Sequence, residues 1–169
     1  MHSRIEVHID APAELVFGLA RDVRRWSSLL PHYVRSRQIE ERSSEHGTER
    51  VLEFIARRPL LPVLGLGLPV TWRSRTWPEP AHRRLRFIHT AGVTRGMDVT
   101  WRIEPTGPAS CRVVIDHDFA PRLPFVAGFV DRWFTESIAG RTLATFKTLA
   151  EAVHEANQSA TPATPNLSR

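Results

Sequence analysis

The sequence predicts an α+β domain in which one strand and two short helices lead into six further antiparallel strands and a long C-terminal helix. Three observations predict it. The stretch from Ile5 to Tyr33 passes from a strand pattern to a helix pattern and ends at a proline turn. From Tyr33 to Phe119 short runs alternate apolar and polar residues between turn signals, and from Leu123 the apolar spacing lengthens to about three and a half residues.

Ile5, Val7 and Ile9 alternate with Arg4, Glu6 and His8, which is the pattern of a half-buried strand. Asp10 is placed to accept hydrogen bonds from the free amides of the next turn, and Pro12 needs no amide partner at a helix start. A second short helix follows through Arg21-Asp-Val-Arg-Arg-Trp26 and stops at Leu29-Leu-Pro-His-Tyr33. The next strands are expected at Tyr33–Glu41, Glu49–Ala56, Val70–Trp77, Arg84–Thr90, Met97–Glu104 and Cys111–Phe119. Turn signals at Glu45-His-Gly47, Pro78-Glu-Pro80, Ala91-Gly92 and Pro105-Thr-Gly-Pro108 separate most of them, and a meander is the simplest way to connect them.

From Leu123 to about Ala156, Val126, Phe129, Val130, Trp133, Ile138, Phe146, Leu149 and Val153 mark one face of a long amphipathic helix. Gly140 lies inside it, at a cost of about 1 kcal/mol relative to alanine, and is a place for a bend. Residues 1–156 are read as one ligand-binding domain, and the polar segment 157–169, with two prolines, as a disordered tail. The exception to this order is Arg57–Pro69, rich in Leu, Val and Pro, whose prolines and glycines argue against a regular element. So apolar a loop does not suit open water: folding back on the sheet or helix, covering a cavity mouth, a dimer contact and a membrane contact all remain open for it.

Side chains alternate between faces along each strand, so parity predicts the interior. Trp72, Ser74 and Thr76 share one face, with Arg73 and Arg75 on the other. Leu85, Phe87 and His89 fall together, as do Met97, Val99, Trp101 and Ile103, and Val113, Ile115, His117 and Phe119. The result is an apolar and aromatic wall with a few polar groups, Tyr33, Ser74, Thr76, His89 and His117, which is the make-up of a small-molecule cavity. Tyr33, His89 and His117 are the candidate catalytic residues, because imidazoles exchange protons near neutral pH. Trp72, Ser74, Thr76, Phe87, Met97, Trp101, Ile115 and the helical Trp133 are the candidate ligand-binding residues, and flat indoles suit a flat, conjugated guest. A lone histidine on an apolar face is, however, more often a core or rim residue satisfied by a carbonyl or water.

Composition closes off several classes. At 169 residues, 41% hydrophobic and 24% charged, the chain has the size and balance of one globular domain. Its basic residues are 22 arginines and the single Lys147, and the net charge of +5 favours contact with something acidic, such as a carrier protein or an anionic membrane. The arginines are scattered and no nucleic-acid motif is present, so no nucleic-acid partner is expected. Cys111 alone makes no internal disulfide, widely spaced histidines give no metal cluster, and neither a phosphate loop nor a nucleophile elbow occurs. No metal or cofactor is expected. With no signal segment or apolar run of membrane-spanning length, a cytoplasmic location is expected, for a monomer or a homodimer.

The alternating strand, the Ala-Pro helix start, the Asp and Trp turn, and the apolar-Pro-x-Tyr segment ending in Tyr33 occur here in order. Together they resemble the Bet v 1-like, START-related (SRPBCC) superfamily, in particular its polyketide cyclase and dehydrase branch and the neighbouring quinone-binding branch. The resemblance can be followed to about Ala156, and it implies a helix-grip fold, a curved antiparallel sheet around the C-terminal helix with a ligand cavity between. It also implies folding of a poly-β-keto chain received from an acyl carrier protein, then aldol closure and dehydration. The family tyrosine matches Tyr33, and its Trp and Ser match Trp72 and Ser74, but the place of its cavity arginine is taken by Thr76. Arg73 or Arg75 replaces that arginine only if the strand bulges and reverses its parity. A second basic position of the family falls near His89. The competing readings are a non-catalytic carrier of a quinone, isoprenoid or lipid, and an interaction module that contacts a chaperone or the ribosome.

Overall fold

The computed structural model describes residues 1–45, 47–61, 66–120 and 137–160, with the backbone only at 58–61, 66 and 67. The strands are β1 (His2–Ile9), β2 (Tyr33–Ser44), β3 (Gly47–Leu61), β4 (Leu66–Glu79), β5 (Arg84–Gly92), β6 (Asp98–Gly107) and β7 (Ser110–Asp118). Between β1 and β2 lie α1 (Ala13–Arg21), a 3₁₀ turn (Val23–Arg25) and α2 (Trp26–Leu29), and α3 (Gly140–Ala160) closes the described chain. A single wide π-type turn at 137–139 leads into α3. This is the α+β, helix-grip architecture that the sequence implies.

All seven strands form one antiparallel sheet in the order β1-β7-β6-β5-β4-β3-β2. Only β2 to β7 form a meander. The first strand lies beside the last, with Ile5 opposite Ile115, because α1 and α2 carry the chain from one edge of the sheet to the other before β2 begins. The helix start also differs from expectation. No side chain caps α1, Pro12 is its N-cap, and the Asp10 amide donates to Glu151 Oε1 on α3 at 2.9 Å. Lys147 adds a second tie by donating to the His8 carbonyl at 2.9 Å, so α3 is fastened to the end of β1.

The inner face of the sheet and the buried stripe of α3 make one core. Phe146 on α3 meets Trp101 of β6 at 5.7 Å and Trp26 of α2 at 5.8 Å, edge to face. A fully buried phenylalanine of this kind contributes roughly 1.5–3 kcal/mol. The stripe is Ile138, Thr142, Leu143, Phe146 and Ala150, whereas Leu149 and Val153, expected within it, are only half-buried. The expected helical stretch 123–136, with Trp133, lies outside the described residues, as does 161–169 of the expected tail. Residues 157–160 continue α3.

The apolar segment expected to be irregular is an extension of the β3–β4 hairpin, paired from Arg57–Pro69 out to Leu61–Leu66. Beyond Ala56 the ladder with β2 ends, with only the Arg57 N–H still donating to the His32 carbonyl, and β4 pairs with β5 only from Trp72 onward. Among the described residues the rest of this two-stranded arm has no further strand on its outer edges, where a proline costs no ladder hydrogen bond.

Candidate functional site

Between the sheet and α3 lies a cavity of about 40 Å³. A water needs roughly 10–15 Å³ of such space, so in this conformation the cavity admits a few waters and a ring-sized guest requires side chains to part. Its described lining is Trp26, Tyr33, Phe54, Trp72, Phe87, His89, Val99, Trp101 and His117, with Ile138, Ala139 and Thr142 from the start of α3. A wider groove of about 610 Å³ lies on the outer face of the sheet. There Arg4 and Arg102 pair with Asp116, and Arg86 pairs with Asp98, so those charges are matched within the face.

Trp26 is the hub of the aromatic wall. Its ring lies 5.6 Å from Tyr33, 6.0 Å from Phe54, 5.6 Å from Phe87 and 5.2 Å from Trp101. Its indole N–H donates to the Ala20 carbonyl at 3.0 Å, which leaves the ring to the cavity with its one polar atom satisfied. Across the sheet, Phe54 stacks on Trp72 at 5.2 Å and Trp72 on His89 at 6.0 Å. Phe54 and Trp72 are direct cross-strand partners, so the sheet register itself builds this flat surface.

His89 is held by its backbone and by one side chain. Its N–H donates to the Met97 carbonyl at 2.9 Å, its carbonyl accepts from Gly96 at 2.8 Å, and its Nδ1 lies 2.7 Å from Thr94 Oγ1. A bulge follows it: Ser74 faces His89 while Arg73 faces Ala91, which leaves Thr90 as the extra residue. The hairpin then needs glycine at Gly92, where φ is +92° and a Cβ would stand 2.5 Å from the Thr71 carbonyl oxygen. Burial, reinforced by the nearby His117, pushes His89 down to about 3. Burial and the Arg141 charge push His32 down to about 4, against the Ile138 carbonyl. Both imidazoles are therefore neutral at pH 7, and burial raises the Tyr33 phenol well above its ordinary value.

The structure brings Tyr33, Trp72, Phe87, His89, Trp101 and His117 together around the cavity. Ser74, Thr76, Met97 and Ile115 face inward and are buried, but they pack outside the described lining. Ser74 Oγ donates to the Arg75 and Ile88 carbonyls, which occupies its hydroxyl. Trp133 lies outside the described residues. Sequence reasoning missed Trp26, Phe54, Ile138, Ala139 and Thr142 as lining residues, and left Val99 out of the candidates although its parity pointed inward. A buried threonine one turn after Ile138 and one before Phe146 was a readable signal for Thr142.

No arginine of β4 enters. The bulge belongs to β5, so the alternation of β4 is intact: Arg73 pairs outward with Glu53 and Arg75 with the buried Glu49 at 2.7 Å. The position expected for a cavity arginine is held by Thr76, 2% exposed. Among the described lining residues there is no arginine, lysine or carboxylate, and His89 is neutral at pH 7.

The family described as "Polyketide cyclase / dehydrase and lipid transport" matches residues 2–151. The chain belongs to the polyketide cyclase/dehydrase family. A bifunctional cyclase/dehydratase of the granaticin polyketide synthase from Streptomyces virginiae is 27% identical over 118 residues, which are 69% of this chain and 35% of that protein. The chain thus spans about a third of the length of that relative. Among solved structures, the Zhui aromatase/cyclase from Streptomyces sp. R1128 superimposes with a TM-score of 0.72 at 20% identity, over 89% of this chain and 93% of that one. The di-domain aromatase/cyclase BexL of the BE-7585A biosynthetic pathway gives 0.69 at 25% identity, over 90% of this chain and 47% of that one. The chain's cavity lies where sheet and helix meet, and its wall is aromatic. Among the described residues no helix is long and apolar enough to cross a membrane, and no group of histidine, cysteine and acidic residues is suited to a metal.

Proposed function

We propose that the protein is a polyketide aromatase/cyclase that works by acid–base catalysis with uncharged groups. The observation that carries this reading is the convergence of Tyr33, His89 and His117 on one aromatic-walled cavity, in a chain of the polyketide cyclase/dehydrase family. The guest is a neutral poly-β-ketone, brought by an acidic acyl carrier protein that the net charge of +5 favours. The tryptophan, phenylalanine and tyrosine faces fold it flat and exclude water.

Tyr33 donates its O–H to the ketone under attack. His89, whose Nδ1 lies against Thr94, faces the cavity as a neutral imidazole, and a neutral imidazole polarises a carbonyl without a charged group. His117 removes a proton from the carbon between two ketones, the resulting enolate forms the new carbon–carbon bond, and the attacked oxygen takes the Tyr33 proton. The proton on His117 then restores Tyr33. Elimination of that hydroxyl with an adjacent hydrogen releases water and leaves one new ring double bond, and enolisation of the remaining ring ketones completes the aromatic ring.

The test is a kinetic comparison with a poly-β-ketoacyl carrier protein as substrate. Tyr33→Phe and His117→Asn are expected to lower kcat on the order of 10²-fold, while Trp72→Ala weakens binding of an aromatic polyketide analogue. The largely aromatic lining, without arginine, lysine or carboxylate among its described residues, also fits a carrier of a quinone, isoprenoid or lipid. That reading takes over if the wild-type protein gives no turnover, retains such a molecule through purification, and binds it equally well in the Tyr33 and His117 variants.

A further inference from the structure

Thr94 lies in the turn between β5 and β6, where exposure is the rule, yet it is 0% exposed while its neighbour Val93 is 60% exposed. The turn is built to tuck it in. Gly92 and Gly96, at φ of +92° and +91°, bend the chain on either side of it. The Arg95 N–H donates to the Gly92 carbonyl at 3.1 Å and the Met97 N–H to the Thr94 carbonyl at 3.0 Å. The side chain so placed has one hydrogen-bonding partner among the described residues, because its Oγ1 lies 2.7 Å from His89 Nδ1. The indole of Trp72, 6.0 Å away and inclined by 27°, holds the same imidazole by its face.

A contact between a hydroxyl and an imidazole nitrogen runs in either direction, and here burial decides which. Thr94 is fully buried and is not among the described residues that line the cavity, so neither bulk water nor a cavity water stands in as a second partner. With hydrogen on Nδ1 the imidazole donates, and the hydroxyl hydrogen is left in a dry site without an acceptor, which carries the cost of a buried hydrogen bond unmade. With Nδ1 bare, the hydroxyl donates to it and nothing on Thr94 is orphaned. The second arrangement puts the one hydrogen of the neutral ring on Nε2.

We propose that Thr94 is a positioning residue that locks His89 as the tautomer with hydrogen on Nε2, and so makes His89 a hydrogen-bond donor to the guest. The part given to the guest rests on the cyclase reading. The two imidazoles of the cavity then have different tasks. His89 donates to a ketone oxygen and keeps its hydrogen throughout, and removal of the carbon-bound proton falls to His117. The other tautomer presents a lone pair at Nε2, which repels a ketone oxygen instead of polarising it. Thr94 touches no guest; it acts by deciding which nitrogen of His89 bears the hydrogen.

Nitrogen-15 NMR of the imidazole side chains tells a ring nitrogen that bears hydrogen from one that does not, and the His89 signals are those that vanish in His89→Asn. Spectra are recorded at pH 7 on labelled wild type, Thr94→Val and Thr94→Ser, and kcat and KM are measured with a poly-β-ketoacyl carrier protein. Wild type is expected to show Nδ1 bare and hydrogen on Nε2. In the near-isosteric Thr94→Val both signals move toward a mixture of tautomers and kcat falls about tenfold at unchanged KM, and Thr94→Ser, which keeps the hydroxyl, restores both. Hydrogen on Nδ1 in wild type overturns the lock by itself, whether or not Thr94→Val folds. A wild-type pattern in folded Thr94→Val overturns the part given to Thr94, and a changed pattern with unchanged kcat overturns the part given to His89. The expected patterns with no turnover in any form support the lock and overturn the cyclase reading alone.

Discussion

When the pH falls from 7 to 5, the unfolded chain protonates His32 and His89, but the folded protein does not. Both have an ordinary value of 6.5 and are lowered by folding, to about 4 and about 3, chiefly by burial. A base whose folded value is lowered contributes its full stability above pH 6.5 and loses it as the pH falls toward the folded value, because the unfolded state then binds more protons. At pH 5 each histidine has lost about 2 kcal/mol, against about 0.2 at pH 7, so the pair removes nearly 4 kcal/mol from a stability typically of about 5–15. The carboxylates Asp22, Asp116, Glu104 and Glu151, lowered by their arginine, lysine and backbone partners, keep nearly all of their contribution in this window and lose it only further down. Urea unfolding followed by tryptophan fluorescence measures the loss, and with a slope of about 2 kcal/mol per molar the midpoint moves down by about 2 M. In His89→Asn, where the amide retains a bond to Thr94, about half of the shift disappears. Equal midpoints at pH 7 and pH 5, or equal shifts in wild type and His89→Asn, would refute the assignment of both histidines as buried and neutral.

The same geometry fixes three further outcomes. Gly92→Ala forces a Cβ to within 2.5 Å of the Thr71 oxygen at a positive φ, and thermal unfolding should show a loss of about 1–3 kcal/mol. Arg73→Gln, which removes an outward guanidinium from Glu53, should leave turnover unchanged; a large fall in kcat would mean that this arginine reaches the cavity after all. Thr76→Arg puts a charge at a position 2% exposed, and denaturant unfolding should show several kcal/mol of destabilisation rather than faster turnover.

The parity of the strands was legible because a half-buried strand writes its faces into the sequence at a period of two: Trp72, Phe87, Trp101 and His117 all face the cavity as that period requires. The limit appeared where contacts are not local. Nothing in the text of β1 says that it pairs with β7, since the register of Ile5 with Ile115 is set by the path of α1 and α2 across the sheet. The proline-rich arm misled because proline excludes a strand only where both edges are paired, and among the described residues β3 beyond Arg57 is paired by β4 alone. Trp26 opens a helix of four residues and His32 lies in the turn after it, both too short for a periodicity, so no pattern announced that one would be the aromatic hub and the other a partner of Thr142. The missing cavity arginine, by contrast, was readable: Thr76 stands at that position and keeps the inward parity of β4.

The central claim is that an aromatic-walled cavity holding Tyr33, His89 and His117 closes a ring on a poly-β-ketone. It is tested most directly by adding the purified protein to a poly-β-ketoacyl carrier protein and resolving the products by chromatography and mass spectrometry. The account predicts one cyclised product that has lost water, formed faster than the mixture that arises spontaneously, and abolished as the dominant product in the Tyr33→Phe, His117→Asn double variant. The spontaneous mixture, at the same rate and in the same ratio with and without the protein, would contradict it.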